Sequence, residues 1–128
     1  MFSGMFPELY VSDCEASAQF FEKALGYRRG YTVMEDDRLR FAAMDHSDPG
    51  LKLTLHGVMQ AGDSGKPRTV RVYYELEDIH ALVAQLRAKG FTVTDPHPTS
   101  YGATTANMKG PDGYMICFLQ WERTSTSG

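Results

Sequence analysis

Residues 9–27 read LYVSDCEASAQFFEKALGY, and this stretch decides the fold. It opens on alternating apolar and polar residues, the pattern of a short strand. Ser12 or Asp13 can then cap a helix, and Gly26 is placed to end it. Four apolar residues of that helix fall near helical spacing, and we expect them to pack on a sheet: Ala16, Phe20, Phe21 and Leu25.

Three strand candidates follow this helix within the first half of the chain. They are GYRRGYTVM, RLRFAAM and LKLTLHGV, separated by the loops EDD and HSDPG. The next stretch, residues 59–68, is rich in glycine and polar groups and is interpreted as a linker. The predicted order before the linker is strand, helix and three strands.

The same order restarts after the linker. TVRVYYELED predicts a strand, DIHALVAQLRAKG a helix that ends at Gly90, and FTVTDP, ATTANMKG and YMICFLQW three more strands. The predicted apolar face of this second helix is Ile79, Leu82, Val83 and Leu86. A shift of 64 residues places Asp13 on Glu77 and Gly26 on Gly90. We interpret the repeat as a duplicated βαβββ module, although strand–helix–strand order also recurs by chance in α+β domains.

Composition narrows the classes of function. The chain has 128 residues, a net charge of −3 and scattered Lys and Arg, which argues against nucleic acid as the main partner. No apolar run approaches the length that spans a bilayer, and the start lacks the pattern of a signal peptide, so we expect a cytoplasmic protein without a membrane partner. Cys14 and Cys117 show neither metal-type spacing nor an obvious disulfide framework.

The chain resembles the vicinal oxygen chelate superfamily, which includes glyoxalase I, extradiol dioxygenases and bleomycin resistance proteins. The resemblance lies in LYVSDCEASAQFFEKALGY, in LEDIHALVAQLRAKGFTV and in YGATTANMKGPDGYMICFLQ, whose PDG precedes the last strand. It implies an α+β fold in which two βαβββ modules form a cupped mixed sheet. We expect one structural domain, with modules at residues 1–58 and 69–124, the linker at 59–68 and a tail at 125–128.

The resemblance also implies where a metal would bind. Metal-dependent members carry one His, Glu or Gln ligand on each of four strands, and the matching positions here are Phe6, Thr54, Arg71 and Cys117. None of these is a ligand for a hard divalent metal. A register error of two residues would bring in Glu8 and His56 but would leave the last strand without an oxygen donor. We therefore expect no metal centre and no cofactor.

Strand alternation gives the side chains that share a face with these positions. The expected ligand-binding set is Phe6, Glu8, Tyr10, Thr54, His56, Arg71, Tyr73, Cys117 and Trp121, with Tyr101 in a loop at the rim. Aromatic side chains with a few charges suit a flat, partly polar organic ligand. Phe6, Tyr73 and Trp121 fit a core or dimer interface nearly as well. Arg71 could bind a ligand carboxylate, but an internal pair with Glu8 or Glu75 is favoured.

Single residues also leave catalytic roles open. His56 has the chemistry of a general base, although a lone histidine at a strand end is more often a polar terminus. His46, His80 and His97 are expected at the surface. Cys117 is flanked by apolar residues and resembles an inert core thiol more than a nucleophile.

The leading hypothesis is a metal-independent protein that sequesters an aromatic or cationic antibiotic or natural product, in the manner of the bleomycin-resistance branch. That branch commonly forms two-fold dimers, so we expect a homodimer that binds a small molecule. The alternatives are a lyase, isomerase or dioxygenase of the same superfamily with altered metal ligands, and an accessory protein of a biosynthetic pathway.

Overall fold

The computed structural model describes residues 1, 3–57 and 70–122. The predicted linker and the predicted tail lie outside these residues, and the module boundaries stay predictions. The described residues divide into two compact units, each with one helix and one four-stranded mixed sheet. The α+β class and the duplicated βαβββ order are therefore confirmed.

The first unit runs β1 (Glu8–Tyr10), α1 (Cys14–Leu25), β2 (Arg28–Glu35), β3 (Arg38–Asp45) and β4 (Lys52–His56). Its sheet has the order β1-β4-β3-β2, in which β1 is parallel to β4 and the other pairs are antiparallel. The 3-10 turn Pro111–Gly113 also belongs to this unit.

Local signals explain the limits of α1. The Asp13 carboxylate accepts a hydrogen bond from the Ala16 N–H at 3.0 Å, and Gly26 ends the helix at φ +76°. The buried face consists of Cys14, Ser17, Ala18, Phe21 and Ala24. The prediction that Ala16 lies on this face is wrong, because two steps of about 100° carry it to the far side of the helix from Cys14.

The sheet of the first unit has one face covered by α1. Its buried residues there include Ala42 and Met44 on β3, which pair with Leu55 and Leu53 on β4. Because side chains alternate along a strand, the neighbouring positions point away from the helix. We call that second surface the open face of the first unit.

The second unit runs β5 (Arg71–Glu75), α2 (Ile79–Ala88), β6 (His97–Pro98), β7 (Ala103–Lys109) and β8 (Met115–Trp121). Its sheet has the order β5-β8-β7-β6, again with the first strand parallel to its neighbour. Helix α2 buries Ile79, Val83 and Leu86, as predicted. Its N-cap is Asp78, one residue beyond the position that the internal repeat predicts.

The predicted strand FTVTDP is not a strand. The strand in this region, β6, is two residues long and begins after that segment. One backbone hydrogen bond still joins this segment to β7: the Thr94 N–H donates to the Asn107 carbonyl at 3.0 Å. A regular ladder does not run from Thr94 into β6, because Pro96 lies between them and has no N–H to donate.

The turn before the last strand has the conformation that its sequence favours. Gly113 has φ +79°, which glycine adopts without steric cost, and Asp112 also has a positive φ, of +54°. The Asp112 carboxylate accepts two hydrogen bonds from Ser12, one from the backbone N–H and one from the hydroxyl.

In the part of the chain that the structure describes, neither helix has the length or apolar character needed to cross a membrane.

Candidate ligand-binding site

The two units place their implied metal-ligand positions with the same offset. In the first unit Thr54 is level with Glu8, two residues after Phe6. In the second unit Cys117 is level with Tyr73, two residues after Arg71. The two pairs of positions therefore have the same register in their sheets, and their assignment as ligand positions stays a prediction.

The residues at these positions do not fit a divalent metal. A phenyl ring, a hydroxyl, a guanidinium and a buried thiol supply no carboxylate or imidazole ligand. Within residues 1, 3–57 and 70–122, no group of three or more His, Cys, Asp or Glu side chains is placed to hold a metal ion. We therefore derive no reaction step through a metal.

On the open face of the first unit, Glu8, Tyr10 and His56 come together. Glu8 Oε1 lies 3.9 Å from His56 Nδ1, and the Tyr10 and His56 ring centroids are 5.8 Å apart. Parallel pairing of β1 with β4 explains this, because it sets Tyr10 level with His56. Thr54 lies on β4, two residues before His56, but it is buried and therefore lies beneath the exposed side chains of this face.

Phe6 lies just before β1, in exposed chain. The Lys52 ammonium lies 5.6 Å from the centroid of the Phe6 ring, which is a cation–π contact. The position that would hold a metal in relatives therefore presents an aromatic ring with a cation above it.

Two aromatic residues of the open face were missed in the sequence. Phe41 lies level with His56 across β3 and β4, with ring centroids 6.1 Å apart. The Tyr31 ring lies 6.2 Å from that of Phe41. The only local signal was an aromatic residue in each strand candidate, and the pairing register was needed to place them beside His56.

In the second unit, the predicted residues form two groups. Tyr73 pairs with Cys117 in the β5–β8 ladder, where Tyr73 is half exposed and Cys117 is buried. Tyr101 lies in the loop before β7, and its ring centroid is 6.0 Å from that of Trp121 at the end of β8. About half of each of these two aromatic residues is exposed.

Trp121 also borders a cleft of about 420 Å³ in the second unit, lined by Glu75, Leu76, Glu77, Gln120, Trp121 and Glu122. Three carboxylates and an indole ring form an environment that favours an organic cation over an anion.

One of the two internal pairs considered for Arg71, that with Glu75, is not found: no ion pair joins these two residues in the part of the chain that the structure describes. Arg71 and Glu75 occupy opposite ends of the five-residue strand β5.

Two further expectations concern histidine and cysteine. The prediction that His46 is a surface residue is wrong: its ring is largely buried, with Nε2 2.8 Å from the Leu25 carbonyl. Cys14 and Cys117 are free and buried. Burial raises the pKa of the Cys14 thiol to about 11, which keeps it protonated and unreactive near neutral pH.

Comparisons with known proteins agree with this architecture. A family model described as Glyoxalase/Bleomycin resistance protein/Dioxygenase superfamily matches residues 6–118. Comparison with curated proteins gave no match.

Solved structures of the same fold cover nearly the whole chain. A glyoxalase/bleomycin resistance protein/dioxygenase from Nocardioides is 26% identical, covers 100% of this chain and 89% of its own, and has a TM-score of 0.78. TnmS3, an antibiotic binding protein from Streptomyces sp. CB03234, is 20% identical over 95% of this chain and 98% of its own, with a TM-score of 0.74. TioX from Micromonospora sp. ML1 is 15% identical over 94% and 99%, with a TM-score of 0.71. At 20% and 15% identity, the last two likenesses show the fold alone.

Proposed function

The chain belongs to the glyoxalase/bleomycin resistance protein/dioxygenase superfamily, and from this premise we propose that it binds a small organic molecule without a metal. The proposed ligand is an aromatic or cationic antibiotic or natural product, and the proposed role is sequestration. The observation that carries the proposal is the residue set at the four implied ligand positions. Phe6 and Arg71 can contact an organic ligand but are not ligands for a hard cation.

Exposed aromatic residues support an aromatic ligand. Tyr10, Tyr73, Tyr101 and Trp121 each leave about half of their surface open to solvent. Rings exposed in this way offer a large contact area at a low cost in conformational entropy.

Carboxylates near these rings support a positive charge on the ligand. Glu8 lies on the open face of the first unit, and Glu75, Glu77 and Glu122 line the cleft beside Trp121. A cation over an indole ring gains about 0.5–2 kcal/mol, and neighbouring carboxylates add to the attraction.

The same proposal includes a homodimer in the cytoplasm. Dimers are common in this superfamily, and reduced thiols at Cys14 and Cys117 are in keeping with that compartment. The neighbour TnmS3 is an antibiotic binding protein, so the fold is compatible with this function. Analytical ultracentrifugation would test the dimer directly.

The function is tested by titrating the protein with planar aromatic antibiotics while Trp121 fluorescence is recorded. Trp121 is the one tryptophan of the chain, so quenching reports on its surroundings. We expect saturable quenching, recovery of the compound unchanged by mass spectrometry, and the same affinity in EDTA. Chemical conversion of the compound, or the absence of binding across cationic and neutral panels, would refute the proposal.

One observation favours a second candidate, a lyase, isomerase or dioxygenase with altered ligands. Glu8 and His56 lie 3.9 Å apart and could supply two ligands or an acid–base pair. This candidate predicts metal in protein purified without a chelator, and loss of that metal in His56→Ala.

A further inference from the structure

Four aromatic rings form a continuous row on the open face of the first unit. Each ring comes from a different strand or strand end: Tyr10 from β1, His56 from β4, Phe41 from β3 and Tyr31 from β2. Successive ring centroids lie 5.8, 6.1 and 6.2 Å apart. The row therefore crosses all four strands of the sheet, a width of roughly 14 Å at about 4.8 Å per strand spacing.

The rings hold one another in a fixed arrangement. The interplanar angles are 38°, 78° and 61°: Tyr10 and His56 are tilted, and the other two pairs meet edge to face, a geometry that aromatic pairs prefer. Contacts of this kind restrict ring rotation before any ligand arrives, which lowers the entropic cost of binding.

The row remains open to solvent. Tyr31 is 70% exposed and Tyr10 is 48% exposed, while Phe41 is half-buried. This surface is elongated and mostly aromatic. It offers ring faces and edges along its whole length. An elongated fused-ring molecule matches it better than a single ring, because only the longer molecule contacts more than two of the four residues.

A carboxylate lies at the Tyr10 end of the row. The Glu8 carboxylate lies 3.9 Å from His56, near the Tyr10 end, and its side chain is 40% exposed. The nearby cation of β4, Lys52, lies over the Phe6 ring. A positively charged group on a ligand would therefore be favoured at the Tyr10 end, beside Glu8.

We propose that this row is the binding surface for an elongated, fused-ring aromatic cation, with Tyr31 and Phe41 contacting the rings and Glu8 beside the charge. This inference rests on the proposed function and specifies its ligand class and its location. It also adds two residues that the sequence did not single out.

The experiment uses the full chain and two three-ring probes of the same shape, cationic 9-aminoacridine and neutral acridone. Binding is measured by probe fluorescence and by isothermal titration calorimetry. We expect the cation to bind more tightly than acridone. We expect Tyr31→Ala and Phe41→Leu each to lower the affinity for both probes by about five- to tenfold, the range expected for loss of one stacked ring. We expect Glu8→Gln to lower the affinity for the cation and to leave the affinity for acridone unchanged.

Matched variants separate this inference from the proposed function. Met34→Ala removes a side chain of similar exposure on the same strand as Tyr31 and should leave both affinities unchanged. If binding is lost in Trp121→Phe and Tyr101→Ala but kept in Tyr31→Ala, the row is not the site, while the proposed function stands. If wild-type protein binds no aromatic compound, both fail.

A third outcome concerns a second copy of the chain as the occupant. If Tyr31→Ala converts a dimer into a monomer in ultracentrifugation and leaves probe affinity intact, the row is an interface between copies and the inference is overturned. Because Tyr31 is largely exposed, Tyr31→Ala is expected to fold, and circular dichroism checks that it does.

Discussion

Asp112 accepts two hydrogen bonds from one residue: the Ser12 N–H donates to it at 3.0 Å and the Ser12 hydroxyl at 2.6 Å. Both bonds involve a charged acceptor, and such bonds are stronger than neutral ones. They tie the turn before β8 to the residue that precedes the α1 cap. A single carboxylate therefore links a loop to the start of a helix.

We predict that Asp112→Ala lowers the free energy of unfolding by about 1–3 kcal/mol, because it removes both bonds and leaves φ +54° to alanine, which adopts it less readily than aspartate. Asp112→Asn should cost less, since asparagine tolerates this φ and keeps an acceptor oxygen. Urea unfolding of both variants measures the difference. Ser12→Ala is the control and should lose only the hydroxyl bond; equal stability of Asp112→Ala and wild type would contradict the prediction.

These residues also show what a sequence can and cannot predict at this scale. The cap at Asp13 and the stop at Gly26 are local, and both are confirmed. The partner of Asp112 lies 100 residues away in the chain, and no local pattern encodes such a pair. His46 was misplaced for the same reason, because its partner carbonyl belongs to Leu25 at the end of α1.

At the scale of elements, Arg29 on β2 connects its strand to α1 through two carboxylates. Its guanidinium donates to Glu15 at 2.6 and 2.8 Å and to Glu22 at 3.0 Å. Hydrogen bonds from Arg29, and then from Gln19, lower the pKa of Glu15 to about 2, and the hydrogen bonds of Arg29 to Glu15 and Glu22 raise the pKa of Arg29. The edge strand β2 is thereby attached to the helix that covers the sheet.

This arrangement predicts a pH-dependent contribution to stability. The pKa of Glu15 is lower in the folded chain than the ordinary 4.5, so its contribution is complete above pH 4.5 and is lost as pH falls toward 2. Since Glu15 is about half exposed, we expect Glu15→Gln to cost only about 0.5–1 kcal/mol at pH 7. The cost should vanish near pH 2.

Urea unfolding of wild type and Glu15→Gln at pH 7, 4 and 2 measures this effect. Glu77→Gln, at an exposed position of the second unit, is the matched control and should show no pH-dependent difference. A cost of Glu15→Gln that is the same at pH 7 and pH 2 would show that the Arg29 contact contributes nothing through charge.

Element types were largely predictable because each has its own period, about 3.6 residues for the helices and two for the strands. FTVTDP failed because its alternation was given more weight than Pro96, which has no N–H to donate to a ladder. Tyr31 and Phe41 were missed for another reason. Their position beside His56 depends on the register of β2, β3 and β4, including register shifts in β2 that a sequence pattern does not show.

At the scale of the whole molecule, the duplication repeats one spacing of candidate positions. Each unit carries two of the four positions at which the resemblance implies a metal ligand, and in each unit the two positions have the same offset. The residue types at those positions were readable from the sequence, because the landmarks around them are local. The identity of a ligand could not be predicted from the sequence, because it depends on how exposed rings and carboxylates are arranged in space.

The final prediction concerns metal independence. We expect dialysis against EDTA to change the thermal midpoint of unfolding by no more than about 1 °C. Added Mn²⁺, Ni²⁺ or Zn²⁺ should not raise this midpoint, because a ligand stabilises a protein only when it binds the folded state. A bound aromatic cation at about 100 times its dissociation constant should instead add about 2.7 kcal/mol of stability, a rise of several degrees. Differential scanning fluorimetry measures both effects on one plate. The decisive variant is His56→Ala: if a metal raises the midpoint of wild type by several degrees but not that of His56→Ala, then Glu8 and His56 hold a metal and the binding protein is an enzyme candidate instead.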